Sequence, residues 1–475
     1  MTAFLAIVKL TIRSAVRSHI FRLLLILLLL SIFLLPFTLM GDGTPKGEVQ
    51  IFLQYCLGFA EFILCLSSVW LACSEISTDV ENAQIHMIVV KPVRRAVVLL
   101  GKYAGVVLIH LFLLLIAAVA VYVFLSFRLS TSDISEQDRT MLQEQVLTAR
   151  ALYRPVRPDF NAMAQEELDR RIAEAKGHGQ DVVQYRDDLG RQEAFREIRK
   201  ELIATYGLIS ENESLFWQFE GLPKHLDDDD VIFLRYTIYV NRYYIQDQNS
   251  VRGQWAFAAT YVRSDDDGNV VTDLVAMPED DYLTAAQNEM VVPLRTSYFV
   301  YDGRAEVGFL NKDTKTSELN FEEGRGPFLL VRETGFFSNY CRAILVMAIG
   351  ILSITLLASA VAACMSLPIA IFATAAYMLV GALANYMVTS LPNVTEFQAE
   401  TKVTFGYRFG DLMLNLIVPL QDFFVTGYLA NGELVSFPFI GLLFAKDFIL
   451  RMLPVFLLGA WIYTRRELAL VSKRG

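Results

Sequence analysis

The chain reads as a membrane protein, α-helical with six transmembrane helices, that carries an inserted extracytoplasmic α + β region ending in a jelly-roll-like β-sandwich. Three observations predict this. Of 475 residues, 54% are apolar and the mean hydropathy is positive, beyond what a soluble protein of this length shows. The apolar residues gather into six runs of roughly 20, each free or nearly free of charge. The charges gather elsewhere: the formal net charge is -9, yet Arg128 to Arg342 holds about 25 basic and about 38 acidic residues, and the remainder is basic by about four. Two environments follow.

Residues 1–22 are predicted to form an amphipathic interfacial helix. Phe4, Val8, Ile12 and Val16 recur every fourth position with Lys9, Arg13 and Arg17 on the adjoining face; a disordered basic leader is the alternative. A cleaved signal peptide is not expected, because the apolar run that follows exceeds the usual 7 to 15 residues or so and no small-residue cleavage pattern follows Met40.

Residues 23–127 hold the first three spans: Leu23 to Met40, Ile51 to Cys73, and Tyr103 to Phe127, with a cytoplasmic segment 75–102 between the second and third. Residues 337–475 hold the other three. Ala343 to Leu367 and Pro368 to Leu391 are joined with almost no polar break, and the last runs from about Phe444 to Thr464 after an outer segment 392–446. Near the start of the last span Asp447 and Arg451 lie four residues apart, a spacing at which they neutralise each other on a helix. Lys9, Arg13, Arg17 and Arg22, then Lys91, Arg94, Arg95 and Lys102, then Arg465, Arg466, Lys473 and Arg474 all fall on one side after six crossings. The positive-inside tendency makes that side cytoplasmic, with both termini.

Three polar residues inside the runs form a candidate intramembrane polar site: Glu61, His110 and Asn385. Leaving Glu61 charged near the bilayer centre would cost about 2.5 to 3.5 kcal/mol, so it faces protein or water, or is neutral. A place on a substrate path and an interhelical hydrogen bond are both open for it. His110 and Asn385 read as packing ties between helices.

The middle splits in two. Residues 128–212 favour helix, in MLQEQVLTARALY, FNAMAQEELDRRIAEAKG and RQEAFREIRKELIATYG. Residues 213–336 turn to strand, rich in aromatic and β-branched residues, and Ile232, Leu234, Tyr236, Ile238 and Val240 are expected to share one face. The acidic runs at 227–230, 265–267 and 279–281 lack the ligand spacing of a calcium loop and read as solvated loop tips. The five histidines show no metal spacing, and the five cysteines lie in or beside apolar runs, so neither a metal nor a disulfide framework is expected.

No GxxxxGK[ST] phosphate loop, nucleophile elbow or His-Glu metal helix occurs, so the chain is not expected to be an enzyme or to bind ATP through that loop. What stands out instead is TDVENAQIHMIVVKPVRRAVVLLGKYAG, from Thr78 to Gly105. Glu75, Asp79 and Glu81 precede a short apolar middle, Lys91, Pro92, Arg94 and Arg95 follow it, and Pro92 separates it from the next helix. A displayed docking element and an ordinary positive-inside loop both fit.

The order acidic, apolar, Lys-Pro-x-x-Arg, Leu-Gly-Lys-Tyr resembles the cytoplasmic loop between the second and third spans of ABC type-2 permeases. AACMSLPIAIFATAAYMLVGAL, ETGFFSNYCRAIL and LIVPLQDFF with the terminal WIYTRREL are similar to that family's later membrane segments, about 260 residues in all. The large insert between the third and fourth spans departs from the family plan, in which that loop is short. The resemblance implies a permease subunit of an ATP-driven exporter in a bacterial inner membrane. It implies pairing with ABC ATPase subunits, which would hold ATP and Mg, and with a second permease copy, identical or homologous. Glu75, Asp79, Glu81, Lys91, Pro92, Arg94 and Arg95 would then form the ATPase-coupling segment. The competing expectation is a membrane-anchored receptor or scaffold whose sandwich binds a glycan or an envelope protein.

Overall fold

The computed structural model describes residues 2–38, 43–81, 93–131, 135–177, 188–223, 231–240, 250–264, 270–276, 283–285, 288–295, 303–312, 318–322, 324–390 and 417–465. It forms two compact units: Met1–Ala149 together with Glu333–Gly475, and Arg150–Arg332.

The first unit is helical. Helices α1 (Thr2–Arg17) and α2 (His19–Thr38) meet at a bend of 72°. α1 buries Val8, Thr11 and Ala15, whereas Val16 is exposed. The packed stripe therefore differs from the every-fourth-residue face, because residues four apart drift by about 40° per step on a helix of 3.6 residues per turn. Among the described residues three helices are long and apolar enough to cross a membrane: α3 (Pro45–Glu81), α4 (Arg95–Thr131) and α8 (Phe336–Cys364), with the bent α1–α2 pair a fourth if it counts as one span. A short helix α5 (Glu136–Gln145) follows α4, capped by Ser135, whose hydroxyl accepts from the Asp138 N–H.

The remaining apolar runs are helical but shorter or broken. α9 (Leu367–Ser390) starts after an extended residue, Met365, and carries Pro368 in its first turn, where a missing N–H costs nothing. The last run is a relay of α11 (Phe437–Leu443), a π-helix (Phe444–Met452) and α12 (Leu453–Arg465). Before it come a 3-10 turn (Leu420–Phe423) and the short α10 (Thr426–Ala430). Phe423, Val425, Leu429 and Ala430 are all buried in the helical core. Part of the segment expected to face outward is thus packed into the helical core, while Tyr428, Phe437 and Leu442 are exposed.

Outward, α2 presents Leu29, Leu30, Phe33 and Leu34 exposed, and α9 presents Ile369, Phe372 and Leu379. Bare apolar side chains of this kind suit lipid. Inside, small residues dominate α8, where Ala343, Ser353, Ala358, Ala360, Ala362 and Ala363 are buried. Tyr340 donates to the Ala118 carbonyl at 2.7 Å, tying α8 to α4.

The second unit combines a packed helical pair with antiparallel sheets. α6 (Phe160–Gly177) and α7 (Asp188–Thr205) pack through Ala164, Leu168, Ile172 and Ile198. Among the described residues the strands are β1 (Thr148–Tyr153), β2 (Leu208–Ser210), β3 (Ser214–Glu220), β4 (Val231–Thr237), β5 (Tyr239–Val240), β6 (Ser250–Ser264), β7 (Val270–Ala276), β8 (Leu283–Ala285), β9 (Glu289–Arg295), β10 (Arg304–Asn311), β11 (Glu318–Asn320) and β12 (Phe328–Gly335). They pair as β1-β12-β4-β9, as β3-β10-β6-β7 with β8 on β6, and as β2-β11-β5. Trp217, Tyr236, Trp255, Phe309 and Phe321 make a ring-on-ring core, with Trp255 and Phe309 centroids 4.9 Å apart and their planes at 66°.

Two boundaries differ from expectation. The helical stretch MLQEQVLTARALY breaks after Gln145, and its second half is strand β1, because pairing with β12 overrides local helix propensity. The compact second unit also begins at Arg150 rather than near 128, since α4 runs on to Thr131 and Leu142 of α5 is buried in the first unit's core. The expected face of β4 is present, with Ile232, Leu234, Tyr236 and Ile238 buried, but Phe233 and Arg235 on the opposite face are buried as well.

Candidate functional site

Two groups of predicted residues lie in the first unit. The first is the segment between α3 and α4. Lys91 and Pro92 fall outside the described residues, as do the side chains of Asp79 and Glu81 near the end of α3. Glu75, Arg94 and Arg95 are described, and they sit around the root of α4. The Glu75 carbonyl accepts a hydrogen bond from the Lys102 ammonium, and Lys102 is only 5% exposed. Arg95 donates from Nη1 to the Thr464 carbonyl near the end of α12 at 3.3 Å. Arg94 is exposed, and its carbonyl accepts the first backbone bond of α4 from Val97 at 2.9 Å.

α1 completes this cluster. A Cβ placed on Gly101 would lie 2.8 Å from Ile7, and one on Gly105 would lie 2.7 Å from Thr11 and 3.2 Å from the Val8 carbonyl. Only glycine at both positions lets α1 lie against α4 at this distance. The four-residue spacing puts both glycines on one face, a small-xxx-small pattern used where helix backbones approach closely. The sequence contains this signal in LGKYAG, although the charges around it drew the functional reading. Lys102 was legible as a basic residue and not as a buried tie, because its partner is a carbonyl 27 residues away.

The second group is the intramembrane set. His110 is fully buried on α4; its Nδ1 donates to the Val106 carbonyl at 2.8 Å, and its Nε2 lies 3.1 Å from the Ser67 hydroxyl of α3. A neutral ring protonated on Nδ1 satisfies both contacts, with the hydroxyl donating to Nε2. Phe21 of α2 meets the ring edge-on at 6.1 Å. His110 therefore ties three helices, as a packing residue does.

Glu61 behaves differently. It is 1% exposed on α3, and its Oε2 has no hydrogen-bond partner among the described residues. Asp447 is equally buried but has the expected partner, with Arg451 Nη1 at 2.7 Å across one turn of the π-helix. The side chain of Asn385 lies outside the described residues, so Glu61, His110 and Asn385 are not shown as one site. No group of three or more His, Cys, Asp and Glu side chains placed to hold a metal ion occurs among the described residues. No family model, curated protein or solved structure matches the chain.

Proposed function

We propose that the chain is the transmembrane permease subunit of an ATP-binding cassette exporter of the type-2 plan. In this reading six spans cross a bacterial inner membrane with both termini cytoplasmic, and the jelly-roll-like insert stands outside. Separate ATPase subunits bind ATP and Mg, a second permease copy completes the pathway, and the segment from Glu75 to Arg95 docks on the ATPase.

The observation that carries the reading is the bracing around that segment. α3 enters it through the carbonyl held by Lys102, α4 leaves it with Arg95 tied to the end of α12, and α1 is clamped onto the same root by Gly101 and Gly105. A push on the segment would reach four helices at once, which is what transfer of an ATPase closure into altered access requires.

The test exploits the exposure of Arg94. Arg94→Glu is expected to uncouple ATP turnover from export while insertion is unchanged, and deletion of residues 78–95 is expected to abolish co-purification of an ATPase. Undiminished export by the Arg94→Glu, Arg95→Glu double variant would overturn the assignment of the segment. The receptor or scaffold reading is favoured by one observation, that Arg150–Arg332 is a compact unit with its own aromatic core. Stable, partner-free behaviour of the purified chain would support it.

A further inference from the structure

The two buried acids of the membrane half pose a contrast. Asp447 has a cation at 2.7 Å; Glu61 is buried to the same degree and, among the described residues, has neither an ion pair nor a hydrogen-bond partner for Oε2. An ionised carboxylate in that setting would have lost its water without compensation. A carboxylic acid would not.

Among the described residues no cation forms an ion pair with Glu61, and Arg342 of α8 is turned to the Val435 carbonyl and the Phe437 ring. On the helices packed against α3, His110 is engaged with Val106 and Ser67, Tyr340 with the Ala118 carbonyl, and Tyr377 with the Val418 N–H. Arg128 is paired with Glu48 at 2.6 Å, and Lys102 is held by Glu75. On α3 itself the adjoining titratable side chain is Cys65, one turn along and also buried.

Close to Glu61, α3 packs against α10. Gly58, three residues earlier and so on the same side of α3, faces α10: a Cβ there would lie 3.6 Å from the Thr426 hydroxyl. Next to it Val425 and Leu429 are fully buried. The chain beyond α10 is pinned by Asn339 of α8, whose side-chain amide donates to the Glu433 carbonyl at 2.7 Å and accepts from the Val435 N–H at 2.8 Å. Asn339 is 1% exposed.

We propose that Glu61 is a proton-binding site buried in the membrane half, covered by α10 and kept covered by the Asn339 clamp. In the arrangement described here Glu61 holds its proton. When α10 withdraws from Gly58, water reaches the carboxyl and the proton leaves to it. The ligand is the proton itself, and the inference is independent of which reading of the chain's function holds.

Infrared spectroscopy of the full chain in lipid vesicles tests this at about pH 8, where exposed carboxyls are ionised. The expected result is a protonated-carboxyl C=O band that is lost in Glu61→Gln and retained in Asp447→Asn. Asn339→Ala is expected to lose the band at about pH 8, because an uncovered Glu carboxyl ionises above about pH 4.3. Absence of any protonated-carboxyl band in the wild-type chain at the higher pH overturns the proposal without reference to a variant. A band that persists in Glu61→Gln overturns it too. If the band persists at about pH 8 in Asn339→Ala, the covering role of α10 is wrong.

Discussion

The two units are cores built from opposite materials. In Arg150–Arg332 the interior is aromatic and large, with Trp217, Tyr236, Trp255, Phe257 and Phe309 fully or nearly fully buried. In the helical unit the outside is as apolar as the inside: Phe33 is 73% exposed and Phe372 75%, while aliphatic Leu, Ile, Val and Ala make up most of the centre. Burial of apolar area can therefore order the second unit, whereas in lipid it gives the first no preference for helix over tail. Close approach at small residues and hydrogen bonds such as Tyr340 to Ala118 must hold the helices instead. The same substitution should then mean different things in the two places.

The largest effect is expected at Trp255, which is fully buried among four other rings. Trp255→Ala should destabilise the second unit by about 3 to 5 kcal/mol. Hydrogen exchange of the β4 amides in the full chain should accelerate accordingly, with the helices α3 and α4 unchanged. Slowed or unaltered exchange in β4 would break the comparison.

A smaller effect, opposite in logic, is expected from adding atoms to the helical unit. Gly105→Leu places side-chain carbons where Thr11 and the Val8 backbone already lie, and overpacking of this kind costs about 1 to 3 kcal/mol. Spin labels on α1 and α4 should move apart, and Gly105→Ala should give a weaker version of the same shift. If α1 holds its place in both variants, small-residue contact is not what docks it.

The smallest effect belongs to the surface of the second unit. Hydrogen bonds from Arg170 and Arg171 hold the Glu167 carboxyl down from its ordinary 4.5 to about 2. A carboxyl depressed on folding stabilises the folded state above its unfolded value and loses that contribution as pH falls through the folded one. Pairing of α6 with α7 should therefore loosen modestly between about pH 4.5 and about pH 2, read as lower amide protection in α6 after correction for the intrinsic exchange rate at each pH. Glu167→Gln should flatten that dependence.

What the sequence disclosed followed the range of the interactions. In β4 the face expected inward is buried, though the opposite one is too, and the local Asp447–Arg451 pair is present. So is the break at Met365 to Pro368, where a proline marks the start of α9. The described part of each of the six apolar runs lies on helix apart from the break at Met365 and Ser366, although among the described residues only α3, α4 and α8 are long and apolar enough by themselves to cross a membrane. What escaped is non-local. β1 exists because β12 pairs with it, and the burial of Arg150 depends on the Val231 carbonyl and the Phe233 ring. The packing of residues 417–443 into the core could not be read from their apolar content alone, since an apolar loop and an inserted one have the same composition. Of the polar set, His110 was legible as a tie, while the isolation of Glu61 is a property of its neighbours.

The lengths of α3 and α4 have a geometric outcome of their own. At 37 residues each they measure about 55 Å against a hydrocarbon thickness of about 30 Å. Roughly 25 Å of rod must project beyond the oil, shared between the two faces. A tilt of only about 5° about the bilayer midplane would swing each tip sideways by about 2 to 3 Å, so modest rocking inside the membrane becomes a displacement that a soluble protein can sense at the surface.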